Sequence, residues 1–255
     1  MGSKIEWTEE TWNPVTGCDK VSDGCKHCYA EAMAKRLKAM NTPGYENGFE
    51  VSMMGNRLEQ PLRKKKPTKY FVNSMSDLFH EKVPFEFIDR IFNVIDETPH
   101  HIYQILTKRS QRMADYFQER TPPSNAWIGV TVENQKQGLR RIDHLRTIDA
   151  TIRFLSVEPL LEDLGRINLE GIDWVIVGGE SGPKARPMKG EWAENIQEQC
   201  EKADVSFFFK QWGGWGADGK KRSKKENGRM LKGKYWDDMP DYQKPTIQGI
   251  NVELR

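Results

Sequence analysis

From residue 69 onward the chain alternates between two hydrophobic rhythms. Runs at 70–74, 102–107, 127–132, 152–157, 174–177 and 205–209 are short, apolar and rich in β-branched and aromatic residues, as strands covered on both faces require. Between them, apolar residues recur three and four positions apart, the spacing of an amphipathic helix. Pro84 opens one such stretch, with Ile88, Ile91, Phe92 and Ile95 on a stripe. Others run through Met113, Tyr116 and Phe117, through Leu139, Ile142, Leu145 and Ile148, and through Trp192, Ile196, Cys200 and Ala203. A further strand expected just before Cys18 makes seven in βα alternation. Such alternation predicts a parallel sheet with helices outside it. Each predicted strand ends in polar or charged residues, which implies one shared functional rim. The prediction is therefore an α/β fold of the TIM-like (βα) barrel type, closed or partial. A doubly wound, flavodoxin-like sheet is the rival.

The remaining stretches break this rhythm. Residues 1–11 form a polar lead, and Trp7 and Trp12 are expected to pack against the barrel's rim. Positions 29–40 put Tyr29, Met33, Leu37 and Met40 on one helical face. Residues 41–69 carry Pro43, Gly44, Gly48, Gly55, Pro61 and Pro67 and read as an excursion. Within it lies the basic run Arg63-Lys64-Lys65-Lys66. After Trp212, Gly213, Gly214, Gly216 and Gly219 lead to a second basic run at 220–225 and then to Tyr235 and Trp236. The expected organisation is a barrel over 1–212 with an inserted excursion at 41–69, followed by a basic and aromatic extension at 213–255. Each basic run reads either as a solvated loop or as a contact for nucleic-acid phosphates, with the C-terminal aromatics able to stack bases.

Composition narrows the classes. With 255 residues and a net charge of +2, the chain is no polycation that binds nucleic acid indiscriminately, so local patches must make that case. At 37% hydrophobic and 30% charged it has a globular balance, with no apolar run of membrane-spanning length and a polar N-terminus unlike a signal peptide. A soluble, cytoplasmic protein is expected. Cysteine usage agrees, because three of the four thiols cluster and Cys200 stands alone on a helix stripe, which is no disulfide framework.

The candidate chemistry lies in residues 13–29, where Cys18, Cys25 and Cys28 follow a Cys-x6-Cys-x2-Cys spacing and glycines precede the first two. Such a loop gathers thiols. Four cysteines normally hold a [4Fe–4S] cubane, so three leave one iron open to a small molecule. A Cys3His zinc site using His27 or His80 is an alternative, as are unligated thiols, although adjacent His27 and Cys28 reach one ion poorly.

These residues resemble the radical SAM superfamily, in which a three-cysteine loop after the first barrel strand holds the cluster and S-adenosylmethionine chelates the fourth iron. More narrowly, Ile5-Glu6-Trp7-Thr8 and Trp12-Asn13-Pro14-Val15-Thr16-Gly17-Cys18 resemble the opening of a radical-SAM-like three-cysteine family of phage and bacterial proteins, over about Ile5 to Trp215. The loop departs from the superfamily's usual Cys-x3-Cys-x2-Cys by three residues, and His27 stands where an aromatic is common. The resemblance implies reductive cleavage of S-adenosylmethionine, an electron donor such as flavodoxin or ferredoxin, and a substrate tilted by the basic loops and phage association towards a nucleic-acid base or nucleotide. An activating role for a separately encoded partner protein is a further reading. A non-catalytic nucleic-acid-binding protein with a structural three-cysteine site is the alternative from another class.

The strand ends supply further candidates. Ser74, Ser76 and Asp77 follow the second strand, and Glu133, Glu158 and Glu180 each follow an apolar run. By the resemblance, the first three lie near the methionine end of S-adenosylmethionine, and Glu133 and Glu158 near its ribose. Gly178 and Gly179 are expected to let a ligand approach the backbone closely or to form a plain turn. Lys108, Arg109, Arg186 and Lys210 add positive charge, which with the carboxylates points to a zwitterionic cofactor or an anionic substrate.

Overall fold

The computed structural model describes residues 5–242. Residues 1–4 of the polar lead and 243–255 of the expected C-terminal extension lie outside the described residues. In chain order the elements are β1 (Glu10–Trp12), β2 (Val15–Thr16), α1 (Tyr29–Ala39), β3 (Ser52–Met53), β4 (Lys69–Val72), α2 (Phe85–Glu97), β5 (Ile102–Thr107) and α3 (Ser110–Phe117). They continue with β6 (Ala126–Thr131), α4 (Arg140–Arg146), β7 (Ile152–Val157), β8 (Trp174–Gly178), α5 (Gly190–Lys202), β9 (Ser206–Gln211) and α6 (Lys224–Asn227).

Among the described residues, seven strands form one sheet in the order β1-β4-β5-β6-β7-β8-β9, every pair parallel. Each strand is thus the neighbour of the one before it. A doubly wound sheet reverses its order at a switch point; this one never does. Right-handed crossovers in one direction put the helices on one face and curl the sheet. The result is an α/β half-barrel with β1 and β9 at its open edges.

Alternate residues along each strand face opposite sides, and both sides are apolar. Tyr103, Ile105, Ile128, Val130, Leu155 and Val175 pack outward with Ile88, Ile91 and Ile142 of the helices. Inward, Phe71, Trp127, Phe154, Trp174, Ile176 and Phe208 pack together with Trp7. Trp7 therefore lies inside the sheet's concave face rather than on the rim. Its ring meets Phe71 at 4.8 Å and Trp174 at 6.1 Å, and its carbonyl accepts from Gln104 Nε2 at 3.1 Å. Gly129 makes room for this filling, since a Cβ there would stand 2.5 Å from the Phe154 ring.

Three expectations change. The first barrel strand is Glu10–Trp12, earlier than the position just before Cys18 and overlapping the end of the expected polar lead; Glu10, Thr11 and Trp12 pair with Tyr70, Phe71 and Val72. Residues Val15–Thr16 instead pair antiparallel with Ser52–Met53, so the excursion folds back beside the cysteine loop. Finally, of the stripe of Tyr29, Met33, Leu37 and Met40 only Leu37 is partly buried, and the rest are exposed; α1 instead buries Ala30 and Ala34 against Tyr45 and Met75. Small side chains let the helix lie close to its neighbours, which a rule based on large apolar residues does not anticipate.

Candidate functional site

The aromatic filling stops partway up the barrel. Above it, at the C-terminal ends of the strands, lies a cavity of about 400 Å³ with Trp7, Phe71 and Leu106 among its lining residues. Cys18, Cys25 and Cys28 all line it, each half-buried and none in a disulfide.

The backbone fixes this loop. Gly17 donates its N–H to the Met75 carbonyl at 3.0 Å, and Ser76 Oγ donates to the Gly17 carbonyl at 2.6 Å. Gly17 has φ +79°, and a Cβ on it would overlap the Glu50 carbonyl, so glycine is required by both dihedral and space. Cys18 N–H then bonds the Phe49 carbonyl at 3.1 Å, which ties the loop to the excursion. A short turn, Asp23–Cys25, carries the second thiol. Cys28 is the N-cap residue of α1, at the positive end of the helix.

Arg109 is the hub beneath the first thiol. It is buried; its Nη1 reaches Cys18 Sγ at 3.4 Å and Asp77 Oδ2 at 3.3 Å, while Nε meets Glu81 Oε2 at 2.9 Å. Burial pushes the Cys18 thiol up to about 11, with Asp77 adding to the rise and Arg109 opposing it. Asp77 also accepts from Thr107 Oγ1 at 2.6 Å, Lys108 N at 3.0 Å and Phe79 N at 3.1 Å. Its carboxylate therefore pins the end of β5 to the loop after β4.

The three strand-end glutamates separate into different environments. Glu158 lines the cavity, held by Lys210 Nζ at 2.8 Å and Gln211 Nε2 at 3.3 Å. Glu180 also lines it and takes three hydrogen bonds from Arg186 plus one contact with His27 Nδ1 at 3.2 Å. Burial works against its charge, but these partners hold its pKa below the usual carboxylate range. Glu133 is fully buried, does not line the cavity, and pairs with Arg141 at 2.5 Å. It lies directly beneath Gly24, where a Cβ would stand 3.2 Å from its carboxyl group. Burial opposes its charge too, and Lys108 and Arg141 outweigh burial to hold its pKa down.

Ser74 lines the cavity and donates to Asn13 Oδ1 at 3.2 Å, while its carbonyl accepts from Tyr29 Oη. The glycine pair serves the chain itself: a Cβ on Gly179 would overlap the Trp212 carbonyl, and one on Gly178 would stand 3.3 Å from the Glu158 carboxyl. Gly179 also lines the cavity, so the pair shapes a close turn at the edge of that space.

The histidines considered for zinc are engaged elsewhere. His27 meets Glu180, and His80 meets Asp19 Oδ2 at 3.1 Å while accepting from Lys82 N at 3.1 Å. Among the described residues, no group of three or more His, Cys, Asp or Glu is arranged to hold a metal ion. A [4Fe–4S] cubane normally takes four thiolates, one per iron; the three half-buried thiols on this cavity are three donors of that kind.

The two basic runs lie at opposite ends. Lys64 pairs with Glu10 at the start of β1 and its carbonyl meets His100 Nε2, which precedes β5; the run 63–66 therefore sits at the N-terminal ends of the strands, away from the cavity. The run 220–225 lies at the cavity: Lys224 lines it and pairs with Glu6 at 2.9 Å, and Lys221 reaches the Pro183 carbonyl.

Sequence reasoning gave no role to Asn73, or to Ser181 and Gln211 at the strand ends, although all three line the cavity. Asn73 adopts φ +61° and accepts from Val15 N at 3.3 Å, and an asparagine ending a strand is the signal that could have marked it. Gln211 Nε2 donates to Ser181 Oγ at 2.7 Å and to the Gly179 carbonyl at 3.2 Å.

The model of a family described as protein of unknown function (DUF5131) matches residues 2–240. The chain belongs to that family. No curated protein matches it. Among solved structures, it is similar to "Spore photoproduct lyase complexed with dinucleoside spore photoproduct", at 13% identity and a TM-score of 0.44. It is also similar to a mutant of that lyase with bound AdoMet and dinucleoside spore photoproduct, at 11% identity and a TM-score of 0.42. In both cases the match covers 79% of this chain and 63% of the other. At such identity the likeness concerns chain path and assigns no ligand or reaction to this member of the DUF5131 family.

Proposed function

We propose that the cavity is a reaction site in which Cys18, Cys25 and Cys28 hold a [4Fe–4S] cluster, with S-adenosylmethionine bound at the iron they leave open, as in a radical SAM-type enzyme. One observation carries this reading: three thiols from one loop open onto one cavity, among carboxylates and cations at the C-terminal ends of the barrel strands. Barrel enzymes place their chemistry on that rim, and a structural metal site would be closed.

When bound, the cluster supplies the electron that cleaves S-adenosylmethionine reductively, and so provides the radical that takes hydrogen from a substrate. The chain's residues position and seal. Trp7 and Phe71 close the cavity from below and exclude water. Ser76 holds the Gly17 peptide, while Ser74 and Asp77 sit with it on the side assigned to the methionine end. Glu158, fixed by Lys210, is an acceptor suited to ribose hydroxyls. Glu133 acts from beneath, as a support for the cysteine loop. Glu180 with Arg186 ties that loop to β8, since Arg186 Nη2 also donates to the Asp23 carbonyl at 2.9 Å. Gly178 and Gly179 keep the end of β8 close to Glu158 and to the turn after β9.

The substrate in this reading is a nucleic-acid base or nucleotide, supported by the basic loop at the mouth, and the electron comes from a donor such as flavodoxin or ferredoxin. The test is metal content. Protein purified and reconstituted without oxygen is expected to hold about four irons and four sulfides per chain, and Cys18→Ala, Cys25→Ala and Cys28→Ala each to lose them. Stoichiometric zinc in the oxygen-free protein would overturn the reading.

A further inference from the structure

Beside the cavity, outside the strand ends, runs a second groove of about 470 Å³ between the first turns of α3 and α4. Lys108 and Arg109 line both spaces, so the groove and the cavity meet at those side chains. Gln137 lines the groove and accepts from Asp23 N at 3.4 Å, which makes the cysteine loop part of the boundary between them.

The groove is electropositive. Five Lys and Arg line it against Glu81 and Asp115. Arg109 is neutralised by Asp77 and Glu81, and Arg141 by Glu133. Lys108, Arg112 and Arg140 have no carboxylate at ion-pair distance among the described residues; Lys108 Nζ donates to the Thr131 hydroxyl at 3.3 Å and feels Glu133 only from further away. Arg112 is held rigidly, its guanidinium 4.3 Å over the Phe85 ring and its Nη2 on the Val83 carbonyl at 2.6 Å, yet its buried Nε has no hydrogen-bond partner. Ser110 and His144, joined at 2.9 Å, add a hydroxyl and an imidazole. Burial and the nearby Arg140 hold the pKa of His144 down.

An anchored guanidinium, two further uncompensated cations and a hydroxyl are what a phosphate group requires. We propose that this groove seats a phosphate of the substrate while its base enters the cavity past Lys108, so the substrate is a nucleotide or a nucleic-acid strand. The inference rests on the reading of the cavity as the reaction site. The two sources of phosphate, a monoester and a backbone diester, share the same recognition.

The experiment is fluorescence anisotropy with a short labelled single-stranded DNA, on cluster-free and cluster-loaded protein, at several salt concentrations. Arg140→Glu, at an exposed residue whose loss leaves the core intact, is expected to weaken binding on the order of tenfold and to lower the log–log salt slope by roughly one. Lys65→Glu, on the far end of the barrel, is expected to stay within about twofold of wild type. Competition by thymidine 5′-phosphate but not thymidine assigns the seat to a monoester; competition only by a longer strand assigns it to the diester. Binding indifferent to Arg140→Glu and Lys108→Gln, or weakened equally by Lys65→Glu, overturns the proposal. A protein that never takes up iron yet binds through Arg140 sinks the enzyme reading alone; a loaded cluster with DNA binding indifferent to the groove sinks this inference alone.

Discussion

The two halves of the barrel interior use the same alternating positions for opposite ends. In the lower half, Trp7, Phe71, Trp127, Phe154 and Trp174 are buried and pack ring against ring. In the upper half, the inward positions on the same strands or just past them are Asn73, Thr131, Ser156, Glu158 and Lys210, and a cavity stands open among them. Aromatic burial stabilises without chemistry, whereas paired charges around an opening cost desolvation and are kept for what they bind. The lower half is thus the rigid base on which the cysteine loop is mounted.

Substitutions can break this division. The largest effect is expected at the bottom: Trp174→Ala should cost about 3–5 kcal/mol in urea denaturation, against about 1 kcal/mol for Glu158→Gln at the rim. Next comes Glu133→Gln, which strands the buried Arg141 and should cost about 3 kcal/mol by the same measurement. Gly129→Ala forces a methyl into the Phe154 ring and should cost about 1–3 kcal/mol. If Glu158→Gln destabilised more than Trp174→Ala, the division would be wrong.

Smaller effects concern the cysteine loop. In metal-free protein, Cys18 should react with iodoacetamide at pH 8 at least ~10-fold more slowly than a free thiol, because its pKa is raised and little thiolate forms. Arg109→Gln should slow it further, by removing the charge that favours the thiolate; alkylation mapped by mass spectrometry checks both. The smallest effect is acidic. The folded pKa of Glu180 is depressed, so its contribution is fully present above the ordinary carboxylate pKa and lost as pH falls through the folded value. Partial exposure of Arg186 limits this to less than about 1 kcal/mol. Arg186→Gln should flatten the acid limb of the stability curve, and an unchanged limb would remove Glu180 from the account.

Much of this architecture was legible in the sequence. The strands over 102–107 and 152–157, and the α2 helix after Pro84, follow from runs long enough to show their period. Three-residue β1 is too short to show one, and its pairing with β4 is settled by a partner some 60 positions away. The exposed face of α1 was misread because periodicity marks which residues share a face but not which face meets the protein. Likewise, the runs 63–66 and 220–225 are alike in composition, and only topology sends one to the base and the other to the cavity. The cysteine cluster was readable from spacing alone. Its dependence on Arg109, Asp77 and Glu133 was not, because those contacts join residues from separate strand ends. No helix among the described residues is long and apolar enough to cross a membrane.

The central claim is an iron left open by three cysteines. Electron paramagnetic resonance of oxygen-free, reconstituted and reduced protein, recorded with and without S-adenosylmethionine and alongside Cys18→Ala, tests it most directly. The account predicts a [4Fe–4S] signal that shifts when S-adenosylmethionine is added and vanishes in Cys18→Ala. A cluster signal indifferent to S-adenosylmethionine would contradict it.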